Sequence, residues 1–177
     1  GMSSLQENTT ASDNTAVGAY ALKDNTTGIN NVAVGKDALK VNTTGNSNIA
    51  LGYNALAANT TGTRNIAIGK DALATCTTDG SDNIAIGYDV MEDLTTGDTN
   101  IGIGNYALEE LTTGSYNNAV GYQALEATTT GANNTAVGYQ ALKDNTTTSS
   151  CTAVGYYAAK NATANYTTAV GDRSIAG

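Results

Sequence analysis

The side chains able to do chemistry are few and recur at a fixed period: sixteen carboxylates, ten tyrosines, two cysteines and columns of asparagine and threonine, without one histidine in 177 residues. Acid–base catalysis near neutrality leans on imidazole, and none is present. No nucleophile elbow occurs, nor a glycine loop ending in a phosphate-binding lysine. Carboxylate pairs such as Glu109 and Glu110 fall on a segment expected to face solvent, not a pocket. The stretches at 78–83 (TDGSDN) and 97–99 (GDT) lack the ligand count and spacing of a calcium loop. These residues predict a chain that is not an enzyme and has no cofactor and no metal site.

Binding chemistry is better represented. Tyr53, Tyr88, Tyr122, Tyr139 and Tyr156 share one position of the repeat described below, and Tyr20, Tyr106 and Tyr157 the next. A tyrosine buries an apolar body and keeps its hydroxyl wet. Two readings follow: the rings cover an edge or pack between subunits, or they form a ligand-contact surface for glycans or protein. The paired threonines 26–27, 43–44 and 60–61 suggest an ice-binding array, but adjacent residues of an extended segment point to opposite sides, which disfavours two flat columns. The formal net charge is −8 with only eight basic residues, scattered singly, so nucleic acid and anionic bilayers are poor partners.

These residues are placed by a repeat. Gly18, Gly35, Gly52, Gly69, Gly87, Gly104, Gly121, Gly138, Gly155 and Gly171 each close an Ala-Val-Gly-like triplet, and seven of the nine intervals are 17 residues. So short a unit cannot bury its own apolar face and must stack on its neighbours, which predicts an all-β solenoid of about ten 17-residue coils. One residue before each marker stand Val17, Val34, Leu51, Ile68, Ile86, Ile103, Val120, Val137, Val154 and Val170, read as the buried core column. Two before it is Ala, except at Gly102. Three before it, the column mixes Val32, Ile49, Ile66, Ile84 and Ile101 with Thr15, Asn118, Thr135, Thr152 and Thr168, as at a subunit contact or a rim. Four before it come Asn14, Asn31, Asn48, Asn65, Asn83, Asn100, Asn117 and Asn134, predicted to form a ladder along the array or to cap the turn into each strand.

After the marker comes Ala-Leu or a variant, then an Asn-Thr-Thr-Gly corner at 25–28, 42–45 and 59–62. The corner is a turn by composition. The Ala-Leu segment is too short for periodicity to separate a second strand from a helical turn. Proline is absent, which suits a backbone paired from coil to coil. The unbroken apolar pattern argues against disorder. Cys76 and Cys151 are four to five coils apart, roughly 20 Å by the coil rise, against the ~7 Å that a disulfide spans. They are expected to be free within a chain.

The segments NIAIGKDAL at 65–73, NVAVGKDAL at 31–39 and NTAVGYQAL at 134–142 resemble the head repeats of trimeric autotransporter adhesins, the YadA-like head, and also repeats of phage tail fibres. The resemblance spans nearly the whole chain and implies a left-handed parallel β-roll in which three chains associate about a common axis. It implies an extracellular location on a bacterial surface, or on a virion tail fibre, and adhesion to a host glycan or matrix protein as function, without membrane insertion of this segment. The family's unit is commonly shorter by three residues, so the cross-section here is expected to differ. Residues 1–177 are read as one repeat domain, an excerpt of a longer fibrous protein. The alternative to a trimer is a monomeric solenoid.

Overall fold

The computed structural model describes residues 1–76 and 80–175. It contains ten three-residue strands and, among the described residues, no helix. They are β1 (Thr15–Val17), β2 (Val32–Val34), β3 (Ile49–Leu51), β4 (Ile66–Ile68), β5 (Ile84–Ile86), β6 (Ile101–Ile103), β7 (Asn118–Val120), β8 (Thr135–Val137), β9 (Thr152–Val154) and β10 (Thr168–Val170). All pair in parallel, in chain order, in one sheet. The register is strict: Val32, Ala33 and Val34 face Ile49, Ala50 and Leu51 in the next coil. Ten strands joined in this way make a β-solenoid of about nine turns.

The marker glycines hold the coils together most closely. Each takes φ between 120° and 142°, a region hostile to side chains. A methyl group on Gly35 would stand 2.2 Å from the Gly52 carbonyl oxygen, so consecutive markers stack backbone on backbone.

The core column expected from the sequence is on the wrong side. Val17, Val34, Ile103, Val120, Val137, Val154 and Val170 are exposed in the single chain, and Leu51, Ile68 and Ile86 are half-buried. The interior is lined instead by the middle residue of each strand, such as Ala33, Ala50 and Ala67, all fully buried. In a three-residue strand, alternation sends both flanking residues one way and the central residue the other. The narrow coil admits only a methyl group there, so the larger β-branched residues face outward. Gly102 is the exception that shows the limit. A methyl group at that position would meet Val90 Cγ1 at 2.6 Å and Met91 Cε at 2.9 Å, and Val90 stands where other coils have Ala.

The Ala-Leu segment is neither strand nor helical turn. Asp37 has φ of 60° and Leu39 of 48°, and the pattern repeats around the array. This alternation turns both Ala38 and Leu39 inward, where each is fully buried. A left-handed leucine costs about 1–2 kcal/mol, and its full burial returns about 1.5–3 kcal/mol. The backbone stays paired between coils: the Leu39 N–H donates to Ala55 O at 3.0 Å, and the Leu56 N–H to Ala72 O at 3.0 Å.

Two asparagine ladders fill the remaining interior. In the column before the strands, Asn48 Oδ1 accepts the Asn65 N–H at 2.9 Å while its amide donates to the Gly62 carbonyl at 2.8 Å. The same pair of bonds recurs from Asn14 to Asn134, so this column joins coils and caps the next corner together. The second ladder belongs to the corner. Asn25 donates to Asn8, Asn42 to Asn25 and Asn59 to Asn42, at 2.8–2.9 Å. It stops where Cys76 replaces asparagine, and Asn59 Oδ1 is left buried without a partner. Beside it, the N–H groups of Thr43, Thr44 and Gly45 and the Thr43 hydroxyl all converge on Thr60 O, at 2.9–3.4 Å.

Candidate functional site

The outward positions just past each marker form a continuous stripe. The glycine turn projects the following residue away from the coil, and the parallel register places like positions directly above one another. Tyr122 and Tyr139 stack with centroids 5.3 Å apart and planes 13° from parallel, and Tyr139 and Tyr156 do so at 5.2 Å and 19°. These separations follow from the ~4.8 Å spacing of the strands. Towards the N-terminus, cations alternate with rings: Lys36 Nζ lies 5.2 Å from the Tyr53 centroid and Lys70 Nζ 4.8 Å from that of Tyr88.

Asn105 interrupts the column, and Tyr106 bridges the gap from the neighbouring position, edge-on to Tyr88 at 5.4 Å and to Tyr122 at 5.8 Å. Tyr157 packs edge-on to Tyr156 at 4.3 Å, and Arg173 Cζ caps both rings at 5.9 and 6.0 Å. The candidate ligand-contact residues Tyr53, Tyr88, Tyr122, Tyr139 and Tyr156 are thus brought together, each between 37% and 45% exposed. Tyr106 and Tyr157 join them. Their part was visible only by reading two adjacent columns of the repeat as one surface.

Carboxylates run beside this stripe. Asp37 sits between Lys36 Nζ at 3.0 Å and Lys40 Nζ at 3.3 Å. Burial works against its ionisation, but the two lysines hold its carboxyl below the usual range. Lys70 pairs with Asp71, Arg64 grips Asp82 through two bonds at 2.6 and 2.7 Å, and Lys143 meets Glu126 at 2.6 Å. In the middle coils the pairing lapses. Glu109 is pushed up to about 7 by burial and then by the charges of Glu126, Asp89, Glu92 and Glu110. Glu92 is raised for the same reasons, burial first and then Asp89.

The acidic stretches weighed as calcium loops are otherwise engaged where they are described. Asp82 is held by Arg64, and Asp98 Oδ1 accepts the Ser81 N–H at 2.8 Å. Residues 78 and 79 lie outside the described residues. Cys76 and Cys151 are buried, free and set in the two interior columns, and burial pushes the Cys76 thiol up to about 12. A thiol so protonated is a poor nucleophile. A hollow of about 520 Å³ opens past β10, lined among others by Ala159, Ala162 and Thr167. Asn161, Thr163, Ala164 and Ile175 in its lining are exposed, so it is an open groove of the last coil.

The first threonine of each corner pair is turned to the backbone: Thr26 Oγ1 donates to Thr43 O at 2.9 Å and Thr43 Oγ1 to Thr60 O at 3.1 Å. Among the described residues, no helix is long and apolar enough to cross a membrane. No family model, no characterised protein and no solved structure matches the chain.

Proposed function

We propose that this chain is a non-enzymatic rod segment of a surface fibre, a left-handed coil that trimerises through the outer face of its sheet and acts as an adhesin-like head for cell adhesion or host attachment. One observation carries this reading: the outer face of the sheet carries an uncovered apolar residue on all ten strands, from Val17 to Val170, joined by a second apolar column from Val32 to Ile101. Nine strand spacings by three residues give a face on the order of 400 Å², apolar across both outward columns from β2 to β6. A patch of that size is often functional, and this one repeats at every level of the array. A closed three-fold ring covers such a face on every copy, whereas open-ended pairing of the same face gives no limit to assembly. The resemblance to adhesin head repeats supports the same stoichiometry, winding and extracellular location.

The tyrosine stripe would then lie outside the trimer and be displayed three times per level. Aromatic faces with interleaved lysines suit a host-surface glycan or a matrix protein, and weak contacts repeated along a rod sum through avidity. Light scattering after size exclusion across a dilution series tests the assembly. A mass of three chains that persists on dilution supports it, and a folded monomer removes it. A glycan and matrix-protein array then separates a head, which binds in isolation, from a tail-fibre shaft, which binds nothing. The flush hydrogen bonding of Thr26 and Thr43 weighs against an ice-binding face, and the absence of thermal hysteresis would dismiss it.

A further inference from the structure

The outward column just past the markers alternates cation and ring over four coils: Lys36, Tyr53, Lys70 and Tyr88. Each lysine lies against the rings beside it, Lys36 Nζ 5.2 Å from the Tyr53 centroid and Lys70 Nζ 6.0 Å from that of Tyr53 and 4.8 Å from that of Tyr88. The next residue in the column is Asn105, with Tyr122 beyond it, so an asparagine stands where the alternation would put a third lysine. Asn105 does not fill that place. Its Oδ1 accepts the Tyr88 N–H at 3.0 Å, which draws the short side chain back to the neighbouring coil's backbone.

Three rings surround the gap. Tyr88 and Tyr122 flank it two coils apart, ~9.6 Å by the strand spacing, and both are exposed. Tyr106 enters from the adjacent position, its centroid 5.4 Å from that of Tyr88 and 5.8 Å from that of Tyr122. Those distances set Tyr106 to one side of the line between the flanking rings and leave the other side open. Among the described residues, no cation lies over Tyr106 or Tyr122.

The far end of the rod shows what completes such a group. Tyr156 and Tyr157 meet edge-on, as Tyr88 and Tyr106 do, and Arg173 Cζ lies 5.9 and 6.0 Å from their centroids. At the gap the chain has no such residue to offer. No lysine or arginine occurs between Lys70, which Asp71 holds, and Lys143, which Glu126 holds. Ten of the sixteen carboxylates fall in that same interval, so the surroundings attract positive charge from another molecule. We propose that the gap at Asn105, walled by Tyr88, Tyr106 and Tyr122, receives an arginine side chain of a protein partner.

The shape of the gap favours arginine over lysine. Across the same two-coil interval from Tyr122 to Tyr156 the stripe holds one flat ring, Tyr139, at 5.3 and 5.2 Å from its neighbours. A guanidinium is the planar cation that fits such a space: it stacks on aromatic faces, presents its N–H groups at its edge and is more weakly hydrated than an ammonium. Asp89 and Glu109, whose charges both act on Tyr106, are near enough to reinforce it. The assignment rests on the reading of the tyrosine stripe as a contact surface, and within that reading it selects a basic protein over a glycan.

Fluorescence anisotropy of a labelled peptide with three arginines spaced by Gly-Ser, and of its lysine twin, measures the preference on the full chain. The arginine peptide should bind at least about fivefold tighter than the lysine peptide of equal charge. Asn105→Lys, which supplies the cation from within, should weaken the arginine peptide at least about fivefold, while Thr113→Lys, the same charge at an exposed corner of the same coil, should change it less than about twofold. Should Asn105→Lys fail to fold by circular dichroism, Tyr122→Leu takes its place and should weaken the peptide alike without altering charge. Equal binding of the two peptides, or equal loss in Asn105→Lys and Thr113→Lys, shows attraction to acid alone and overturns the site. Tyr139→Leu with Tyr156→Leu, outside the gap, reads the rest of the stripe. If that variant loses a glycan or matrix-protein contact while the parent chain ignores the arginine peptide, the arginine site is overturned and the contact surface stands.

Discussion

Asn48 and Asn46 stand two residues apart in one coil, and truncating each to alanine isolates what the interior ladder contributes. Asn48 is fully buried and makes two bonds to neighbouring coils: its Oδ1 accepts the Asn65 N–H at 2.9 Å and its amide donates to Gly62 O at 2.8 Å. Asn48→Ala leaves the buried Asn65 N–H without a partner, while Gly62 O keeps the Asn59 amide at 3.2 Å. At about 1–3 kcal/mol for one stranded buried group, the loss is about 1–3 kcal/mol. Asn46 Oδ1 accepts the Ile29 N–H at 2.8 Å on the exposed side of the coil. Water replaces that bond, so Asn46→Ala should cost less than about 1 kcal/mol. Urea unfolding followed by circular dichroism, at one fixed protein concentration because association contributes to stability, measures both. The slope against denaturant should stay constant while the midpoint moves. Two variants within about 0.5 kcal/mol of each other would falsify the view that the asparagine ladder holds adjacent coils together.

Gly102→Ala should destabilise by about 1–3 kcal/mol through the clash with Val90 and Met91. The double variant with Val90→Ala restores the commoner pairing of the other coils and should recover most of that loss in a double-mutant cycle. Val120→Glu with Val137→Glu places charge on the outward sheet face, and light scattering should then find monomer where the parent chain is trimeric; an unchanged mass would locate the contact elsewhere. Glu109 sits at about 7 in the folded chain against an ordinary value of 4.5, so its contribution to stability is greatest below pH 4.5 and is lost as pH rises through 7. The unfolding temperature should fall between pH 5 and pH 8, and Glu109→Gln should flatten that slope, whereas an equal slope in both chains would show that the acid is not strained.

The strands were legible because two signals coincide: a β-branched pair flanking a small residue, broken only by Leu51 in β3 and Asn118 in β7, and the glycine that ends each strand. All ten fall on the three residues before a marker. Which way they face was misread, because apolar bulk was equated with burial. In a coil this narrow, the informative signal is restriction of size, and the Ala column with its one glycine, Gly102, shows it better than the Val and Ile columns do. The left-handed backbone at Leu39 and its equivalents leaves no trace in composition, since leucine has no preference for positive φ. The corner ladder did leave one: Asn8, Asn25, Asn42 and Asn59 recur at 17 residues, and then Cys76, Leu94, Leu111 and Thr128 take the same place. The Tyr106 bridge across Asn105 was hidden by treating each column separately.

The interior columns vary little because every change there must fit a methyl group or a hydrogen bond, so whatever distinguishes one level of the rod from another is written on the outside. The fifth position past the marker reads Lys23, Lys40, Ala57, Ala74, Glu92, Glu109, Glu126, Lys143 and Lys160, a block of acid between basic ends. Parallel stacking makes each residue in such a block a neighbour of its own kind about 4.8 Å away. For aromatic residues this is favourable, as in the stack from Tyr122 to Tyr156. For carboxylates it is not, and a run of them holds together only where something neutralises it. Lys143 does this for Glu126 at 2.6 Å. At the other end of the block Ala74 offers nothing, and Asp89 adds a further negative group instead. A solenoid that tolerates substitution by placing unlike residues in register has here placed like ones, and Glu109 is raised to about 7 by its burial first and then by the charges of Glu126, Asp89, Glu92 and Glu110.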